Sequence, residues 1–291
     1  MIVKNESAVL ARCLESVKGV DEIFIADTGS IDNTVEIAKK YTKNVYTDYK
    51  WEDNFAKARN FILSKVTTDY VLSIDADEIL HDISEVREAV EILDKNKLLA
   101  ATVLMIGSTE SQTFFYPRIF KKDPKVWWEG AIHNHISVGG DHVGQAKITH
   151  TKSPAHALDP NRALRILTKE VERTGNARET FYLAREYWYR GDYETCLKWL
   201  KIYVTKSRFY SEKAEAFLLM AQNLKALGRW EEARNACMQA LLINAHFKEA
   251  LRFMALLSGD GTDNPVWQAN ADQWKRLAET ADNRNVLFIR N

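Results

Sequence analysis

Residues 70–78 of the chain read YVLSIDADE, a mostly apolar run followed by a cluster of acids. The run from Tyr70 to Ile74 predicts a buried strand. Asp75 and Asp77 follow it, so two carboxylates at positions i and i+2 can point into one cleft. Acids at the end of a buried strand need a counter-charge, and oxygen ligands suit Mg²⁺ or Mn²⁺. The alternative is a solvated acidic loop, which an isolated Asp-x-Asp pattern favours.

The residues before this stretch alternate short apolar strands with amphipathic helices. Strands are predicted at 2–3, 22–26 and 45–46, and helices at 7–17, 34–41 and 54–64. This alternation predicts a parallel α/β sheet, and ligands of such sheets bind at the carboxyl ends of the strands. Asn5, Asp27 and Asp75 all lie at such ends.

A β-rich segment, from about Leu98 to Thr149, continues the same domain. Strands are predicted at 100–106, 113–120, 135–138 and 146–149. Helices dominate from Pro160 onward. We therefore expect an α/β domain over residues 1–152, mostly parallel at first and β-rich in its second half. An all-α domain of helical repeats over residues 153–291 is expected to follow it.

Two segments of the helical half match each other at an offset of 37 residues, from Gly191 to Gly228. The matched residues around the two glycines are Asp192-Tyr193 with Arg229-Trp230, Ala184 with Ala221, Cys196 with Ala233, and Tyr203 with Ala240. A glycine that ends one helix and small residues that let paired helices approach resemble the tetratricopeptide repeat. A degenerate third unit is expected to run through Trp267 and Trp274.

Composition excludes several classes of protein. Hydrophobic residues make up 46% and charged residues 27%, which excludes a disordered chain. The 40 basic and 40 acidic side chains give a net charge of zero, which disfavours a nucleic-acid-binding protein. The halves differ: residues 1–150 carry 18 basic and 23 acidic side chains, and residues 151–291 carry 22 and 17. The excess of basic side chains in the helical half is compatible with binding to an anionic partner.

Membrane-span, signal-peptide and cysteine patterns indicate where in the cell the protein resides. No run approaches the length of a membrane span, and the amino terminus has no long apolar stretch typical of a signal peptide. The three cysteines, Cys13, Cys196 and Cys237, are far apart, so small buried residues are favoured over a disulfide or a metal site. We expect a cytoplasmic protein without a transmembrane segment.

Four motifs in order resemble family 2 glycosyltransferases of the GT-A fold, in the subgroup that carries tetratricopeptide repeats. They are Lys4-Asn5-Glu6, the run DTGSIDNT at 27–34, the run NFAKARN at 54–60, and the Asp-x-Asp motif with its following glutamate at 75–78. The resemblance covers roughly residues 1–150, and the repeats cover most of the rest. One departure is the first strand, which is almost absent. It is short, or the true start lies upstream.

The resemblance implies roles for the matching residues. Asn5 and Glu6 would line the nucleotide pocket. Asp27 would hydrogen-bond the nucleotide base, since uracil N3–H is a donor and a carboxylate accepts; an Asx turn is the alternative. Arg59 would face the cleft near the nucleotide, with a solvated helical arginine as the alternative. Asp75 would contact the ribose or the waters of the metal.

The resemblance also implies a metal. Asp77 would bind Mn²⁺ or Mg²⁺, and the ion would bridge the diphosphate and neutralise the leaving group. His133 and His150 are competing candidates for a further ligand. A structural role is open for both histidines, and an acceptor-side donor role is open for His133.

A further segment, WWEGAIHNH at 127–135, resembles the family pattern Glu-Gly-x-x-His. Inverting transfer needs one base to deprotonate the acceptor hydroxyl. Glu129, flanked by Trp127 and Trp128, is our candidate for this catalytic base. A surface glutamate in a loop is the alternative.

The sequence thus predicts a metal-dependent, inverting glycosyltransferase that uses a nucleotide sugar, with UDP favoured as the nucleotide. The acceptor is a glycan, a peptide, a lipid-linked saccharide or a modified nucleobase in nucleic acid. The helical repeats leave open a protein partner or self-association. Two alternatives are a nucleotidyltransferase, which would need a glycine- and basic-rich phosphate loop after the first strand, and a repeat-based scaffold on an inactive transferase fold.

Overall fold

The computed structural model describes residues 1–107, 113–155, 159–259 and 265–281. The chain forms two compact units, which divide between Arg162 and Ala163. The amino-terminal unit is α/β and the carboxyl-terminal unit is helical. This is the predicted fold class.

A three-stranded parallel sheet begins the amino-terminal unit. Its strands are β1 (Ile2–Val3), β2 (Phe24–Asp27) and β3 (Asn44–Tyr46), and its helices are α1 (Leu10–Ser16), α2 (Thr34–Lys39) and α3 (Phe55–Lys65). β2 lies between β1 and β3. Val3 lies opposite Asp27, so the loops that follow β1 and β2 start side by side.

A five-stranded mixed sheet forms the rest of this unit's core. The further elements are β4 (Tyr70–Leu72), β5 (Glu78–Leu80), α4 (Ile83–Asn96), β6 (Ala100–Ile106), β7 (Thr113–Lys121), β8 (Trp128–Glu129), β9 (His135–Ile136) and β10 (Lys147–His150). The strand order is β4-β7-β6-β10-β5, with β10 parallel to β6 and the other pairs antiparallel. β8 and β9 form a separate antiparallel pair.

This arrangement differs in two ways from the alternation predicted for the first 80 residues. β4 pairs antiparallel with β7 of the mixed sheet, because β7 supplies a long complementary strand that lies far away in sequence. β5 and α4 have no counterpart among the predicted elements. β5 begins with an acidic residue, which does not indicate a buried strand, yet Glu78 and Leu80 are both buried.

Helices cover the strands with apolar side chains. Ile62 of α3 and Val66, which directly follows α3, pack with Phe24 and Ala26 of β2. Val86, Ala89 and Leu93 of α4 belong to the buried cluster of the mixed sheet. The strand ends that carry the predicted site residues therefore rest on a buried core.

The carboxyl-terminal unit is built from consecutive helices. They are α5 (Arg162–Thr174), α6 (Ala177–Tyr189), α7 (Tyr193–Lys206), α8 (Tyr210–Ala226), α9 (Trp230–Ile243), α10 (Lys248–Gly259) and α11 (Pro265–Thr280). Gly191 and Gly228 each adopt a φ of +74° just after α6 and α8, a conformation that glycine reaches without steric cost.

The small residues matched around those glycines are buried where the paired helices meet. Ala184, Ala221, Cys196 and Ala233 are all fully buried. This confirms the predicted helical repeat. Trp274 of α11 packs against the same hydrophobic cluster, as expected for a third helix pair.

Cys13, Cys196 and Cys237 are all buried free thiols, as the sequence predicted. A search of the described helices finds none with the length and apolar character that a bilayer span requires.

Candidate active site

The acidic turn after β4 is held by two arginines from different elements. Arg59 of α3 donates from Nη2 to Asp75 Oδ1 at 2.6 Å. Arg118 of β7 lies 3.4 Å from Asp75 Oδ2 and donates to Glu78 Oε1 at 2.5 Å. Asp75 N in turn donates to Glu78 Oε2 at 2.8 Å, which closes the turn. Two carboxylates and two guanidiniums therefore form one network.

Burial and charge act in opposite directions in this network. Arg59, Arg118 and Glu78 are almost completely buried, whereas the Asp75 side chain is 30% exposed. Burial opposes the charge of Asp75, but Arg59 and Arg118 outweigh it and hold the pKa of Asp75 well below its usual range. Burial raises the pKa of Glu78, and Asp75 adds to this rise while Arg118 opposes it. Asp75 is thus kept as an anion with an exposed edge.

Asp77 lies two residues further on and faces a histidine. Its Oδ2 lies 3.2 Å from Nε2 of His150, the last residue of β10. The cause is strand register, since β10 runs antiparallel to β5 and places His150 opposite Glu78. Asp77 is 5% exposed and His150 is 42% exposed. Hydrogen bonding to Asp77 raises the pKa of His150 despite partial burial.

The Asp77–His150 pair fits a divalent cation as two of its ligands. Two donors on neighbouring corners of an octahedral ion with bonds of ~2.1 Å lie about 3.0 Å apart. The observed 3.2 Å between Oδ2 and Nε2 is close to that separation. In the described residues no group of three or more His, Cys, Asp or Glu could hold a metal ion. A cation here would take its other ligands from water and substrate, as Mg²⁺ commonly does.

The loops after β1 and β2 form the neighbouring part of the candidate site. Asn5 adopts a φ of +56°. Its Oδ1 accepts from Ile31 N at 2.8 Å, and its N–H donates to Ser30 Oγ at 2.9 Å. Asp27 is buried at the end of β2. These contacts tie Asn5 to the turn that begins at Asp27.

Asp27 makes the Asx-turn contacts that the sequence left as the alternative. Its Oδ2 accepts from the N–H groups of Gly29 and Ser30, each at 3.0 Å. Its Oδ1 accepts from Ser30 Oγ at 2.5 Å. An ionised carboxylate has about four acceptor sites, so these contacts leave one on Oδ1. A base N–H could therefore be accommodated without breaking the turn.

Glu6, in the loop after β1, and Asp32, in the loop after β2, hold these loops in place through hydrogen bonds. Glu6 is buried and accepts from Ser153 Oγ at 2.5 Å, and burial raises its pKa. Asp32 accepts from Ser7 N at 3.1 Å and from Thr34 N at 3.0 Å. Burial opposes the charge of Asp32, but the hydrogen bonds from Ser7 and Thr34 outweigh it and lower its pKa to about 2.

The β8–β9 hairpin carries the proposed base. Glu129 is 46% exposed, accepts from Trp127 Nε1 at 3.0 Å, and lies 3.6 Å from His135 Nε2. His135 is its cross-strand partner. The link to the acidic turn runs through Trp128, whose ring lies 4.8 Å from Arg59 Cζ. The neighbouring Asn60 accepts from Trp128 N and donates to Trp128 O, which fixes the hairpin on α3.

The structure thus connects some of the predicted residues and places others apart. Asp75 contacts Arg59, Asp77 contacts His150, and Asn5 contacts the turn of Asp27. His133 is an exposed residue of the loop between β8 and β9, with a φ of +50°. Sequence reasoning missed the contribution of Arg118 and Glu78 to this site. The signals for them were present, in the arginine of a predicted strand and in the third acid of the turn.

Comparisons with known proteins give the family of the amino-terminal unit. Residues 1–144 match the model of Glycosyl transferase family 2. A TPR repeat-containing protein of Synechococcus elongatus is 39% identical over 142 residues, which are 47% of this chain and 34% of that protein. The SPbeta prophage-derived glycosyltransferase SunS of Bacillus subtilis is 32% identical over 141 residues, 46% of this chain and 33% of SunS. The chain therefore spans about a third of the length of these relatives.

A search of solved structures finds a weaker likeness to residues 1–349 of TarS from S. aureus. That chain is 14% identical, with 96% of this chain and 88% of TarS covered and a TM-score of 0.38. A likeness at this TM-score supports no inference about ligand or mechanism.

Proposed function

Since residues 1–144 form a domain of Glycosyl transferase family 2, we propose that the protein transfers a sugar from a nucleotide sugar to an acceptor hydroxyl, with inversion. The observation that carries the proposal is the acidic turn after β4. There Asp75 is kept anionic by Arg59 and Arg118, and Asp77 faces His150 at 3.2 Å. A solvated acidic loop would need neither two buried arginines nor a facing histidine.

The donor is proposed to be UDP-linked. Asn5 and Asp27 would hold the base, because Asp27 Oδ1 has an acceptor site left for uracil N3–H. Asp75 would accept from ribose hydroxyls with its exposed edge. Arg59 and Arg118 would hold Asp75 in place and add positive potential where the diphosphate charge develops. Glu6 would support this pocket through its bond to Ser153.

A divalent cation, Mn²⁺ or Mg²⁺, is proposed to bind at Asp77 and His150. When bound, it supplies charge neutralisation for the leaving diphosphate. His133 lies in the β8–β9 hairpin that also carries the base, so we assign it to the acceptor side. Proton uptake at the cation site is expected to compete with metal binding, because His150 must be neutral to act as a ligand.

Glu129 is proposed as the catalytic base. Its carboxylate would take the proton of the acceptor hydroxyl as that oxygen forms its bond to the anomeric carbon. The bond from the anomeric carbon to the nucleotide diphosphate breaks on the opposite side, and the diphosphate leaves with the electron pair. Trp127, which donates to Glu129, would keep the carboxylate oriented.

The acceptor is the least constrained part of the proposal. A glycan, a peptide, a lipid-linked saccharide or a modified nucleobase would each present a hydroxyl. The helical repeats are proposed to hold the acceptor or a protein partner. Of the two alternatives, a nucleotidyltransferase lacks its phosphate loop here, since Lys4-Asn5-Glu6-Ser7 follows β1. The presence of Asp27, Asp75 and Asp77 disfavours the second alternative, a scaffold on an inactive transferase fold.

Calorimetric titration tests the donor and cation assignments together. The chain is titrated with UDP in the presence and absence of Mn²⁺, and a set of nucleotide sugars is screened for hydrolysis by mass spectrometry. We expect UDP to bind more tightly with Mn²⁺ and one UDP-sugar to be hydrolysed. Absence of binding by either ligand would support the scaffold. Binding of another nucleotide would move the donor assignment away from uracil.

A further inference from the structure

The carbonyl oxygen of Asp77 is held by the residue that directly follows His150. Thr151 N donates to this oxygen at 2.8 Å, and Thr151 Oγ1 donates to it at 2.7 Å. A carbonyl oxygen has two lone pairs, so Thr151 satisfies both of them. Because Thr151 follows His150, these two bonds join the main chains of the two proposed cation ligands. We call this pair of bonds the Thr151 clamp.

Arg12 of α1 determines the direction in which the hydroxyl of the clamp donates. Its Nη2 lies 2.6 Å from Thr151 Oγ1, although 139 positions separate the two residues in the chain. A guanidinium only donates hydrogen bonds, so Thr151 Oγ1 accepts from Arg12. The single proton of the hydroxyl is then left for the carbonyl oxygen of Asp77. Arg12 therefore orients the clamp.

The helix that carries Arg12 also holds the acidic turn at two other points. Cys13 Sγ donates to Asp75 O at 3.2 Å, and Leu80 N donates to Ser16 Oγ at 3.1 Å. Burial raises the pKa of Cys13 to about 12, so this residue stays a thiol that can donate. α1 is thus a support for the main chain along the whole acidic turn.

The position of Arg12 has no explanation in packing or in charge. Arg12 is exposed, whereas Cys13 beside it is fully buried. Its positive charge would repel a cation held by Asp77 and His150, so charge alone would weaken cation binding. A hydrogen bond that orients Thr151 acts in the opposite direction. The two effects therefore predict opposite results when Arg12 is replaced.

We propose that Arg12 and Thr151 are positioning residues for the cation site, acting on Asp77 and His150 through the Thr151 clamp. The inference rests on the proposed function, because it takes the cation assignment as its premise. Neither residue would touch the cation. The clamp would keep Asp77 and His150 at the separation that two ligands of one ion require. A ligand pair that is ordered beforehand binds more tightly, since less conformational freedom is lost on binding.

Calorimetric titration of the full chain with Mn²⁺ alone, without nucleotide, tests this role. Arg12→Met keeps much of the side-chain length but has no N–H donor. Thr151→Val keeps the shape of the side chain without the hydroxyl, and Thr151→Ser keeps the hydroxyl. Arg87→Met is the matched control, because Arg87 is also exposed and donates at 2.6 Å to the carbonyl oxygen of Gly19, outside the candidate site. Melting curves check that each variant is folded.

We expect Thr151→Val to weaken Mn²⁺ binding about tenfold or more, and Arg12→Met to weaken it about threefold to tenfold. Thr151→Ser and Arg87→Met should bind Mn²⁺ as the unaltered chain does. In the double variant, Arg12→Met should add little to Thr151→Val, because both changes remove the same contact. In the absence of metal, hydrogen exchange of the Thr151 amide should be about threefold faster or more in Arg12→Met.

Equal Mn²⁺ affinity of Arg12→Met and the unaltered chain would overturn the inference. Tighter binding by Arg12→Met would also overturn it, because the charge of Arg12 would then be its main effect on the cation. Additive losses in the double variant would contradict it as well, since Arg12 would act without Thr151. Absence of Mn²⁺ binding by the unaltered chain would instead refute the cation assignment of the proposed function, and this inference with it.

Discussion

Nε2 of His150 lies 3.2 Å from Oδ2 of Asp77, although 73 positions separate the two residues in the chain. The antiparallel pairing of β10 with β5 creates this contact, because it sets His150 opposite Glu78. The acidic turn and the histidine thus belong to one structural unit. This contact gives the metal assignment a geometric basis that the Asp-x-Asp motif lacks.

The first prediction concerns Asp77. Asp77→Asn keeps the size of the side chain but removes its charge, so a cation would lose one anionic ligand. Turnover should be abolished and the enhancement of UDP binding by Mn²⁺ lost, with a normal melting curve. Asp48→Asn, at an exposed acid, is the control and should leave turnover unchanged. Unchanged transfer by Asp77→Asn with a normal melting curve would end the metal assignment.

The second prediction concerns Glu129 as the base. Glu129→Gln keeps shape but cannot take up a proton, so kcat should fall about 10²–10⁴-fold while UDP affinity stays constant. Steady-state kinetics and calorimetry measure the two quantities. Glu88→Gln, at an exposed glutamate of α4, is the control. A kcat within about threefold of wild type would exclude Glu129 as the catalytic base. Loss of UDP binding would instead indicate that Glu129 belongs to the donor pocket.

The third prediction compares two ion pairs of equal length. Arg118–Glu78 and Lys57–Glu52 both have N···O distances of 2.5 Å, but the first pair is buried and the second is exposed. Arg118→Met leaves Glu78 buried without its main counter-charge, so it should destabilise the fold by about 3–5 kcal/mol.

Lys57→Met is the matched change in the exposed pair, and should cost no more than about 1 kcal/mol. Urea denaturation of both variants measures the difference. If the two substitutions lowered the free energy of unfolding by similar amounts, burial would not make the Arg118–Glu78 pair more important for stability than the exposed pair.

The fourth prediction concerns the pH dependence that Asp32 contributes. Its pKa is lowered to about 2 in the folded chain from an ordinary value of 3.8. The stabilisation is therefore present above about pH 4 and is lost as the pH falls toward 2. Since Asp32 is partly exposed, we expect solvent screening to reduce the contribution to about 1 kcal/mol at pH 7.

Asp32→Asn should accordingly lower the free energy of unfolding at pH 7 and at pH 5 by similar amounts, and by less at pH 3. Urea denaturation at the three pH values gives the comparison, with Asp48→Asn as the control. A deficit of equal size at pH 3 and pH 7 would show that the lost contribution is not the charge of Asp32.

Local patterns were sufficient for much of this fold. The strand Ala100–Ile106 was predicted with its observed bounds, because an apolar run of that length has few alternatives. The helical repeat was predicted from Gly191, Gly228 and the small residues around them, since a tight turn and close helix packing each restrict residue type. Strand ends were less accurate. The strand predicted to reach Ile74 ends at Leu72, after which the chain turns to place Asp75 between two arginines.

The sequence by itself determined the α/β and helical architecture, the acidic turn and the set of candidate residues, because these follow from periodicity and from residue types close together in the chain. The tertiary structure decided which of those residues meet. It paired β4 with β7 and so brought Arg118 to Asp75, and it paired β10 with β5 and so brought His150 to Asp77. Strand register between distant segments depends on the packing of the whole sheet, and local sequence does not encode it.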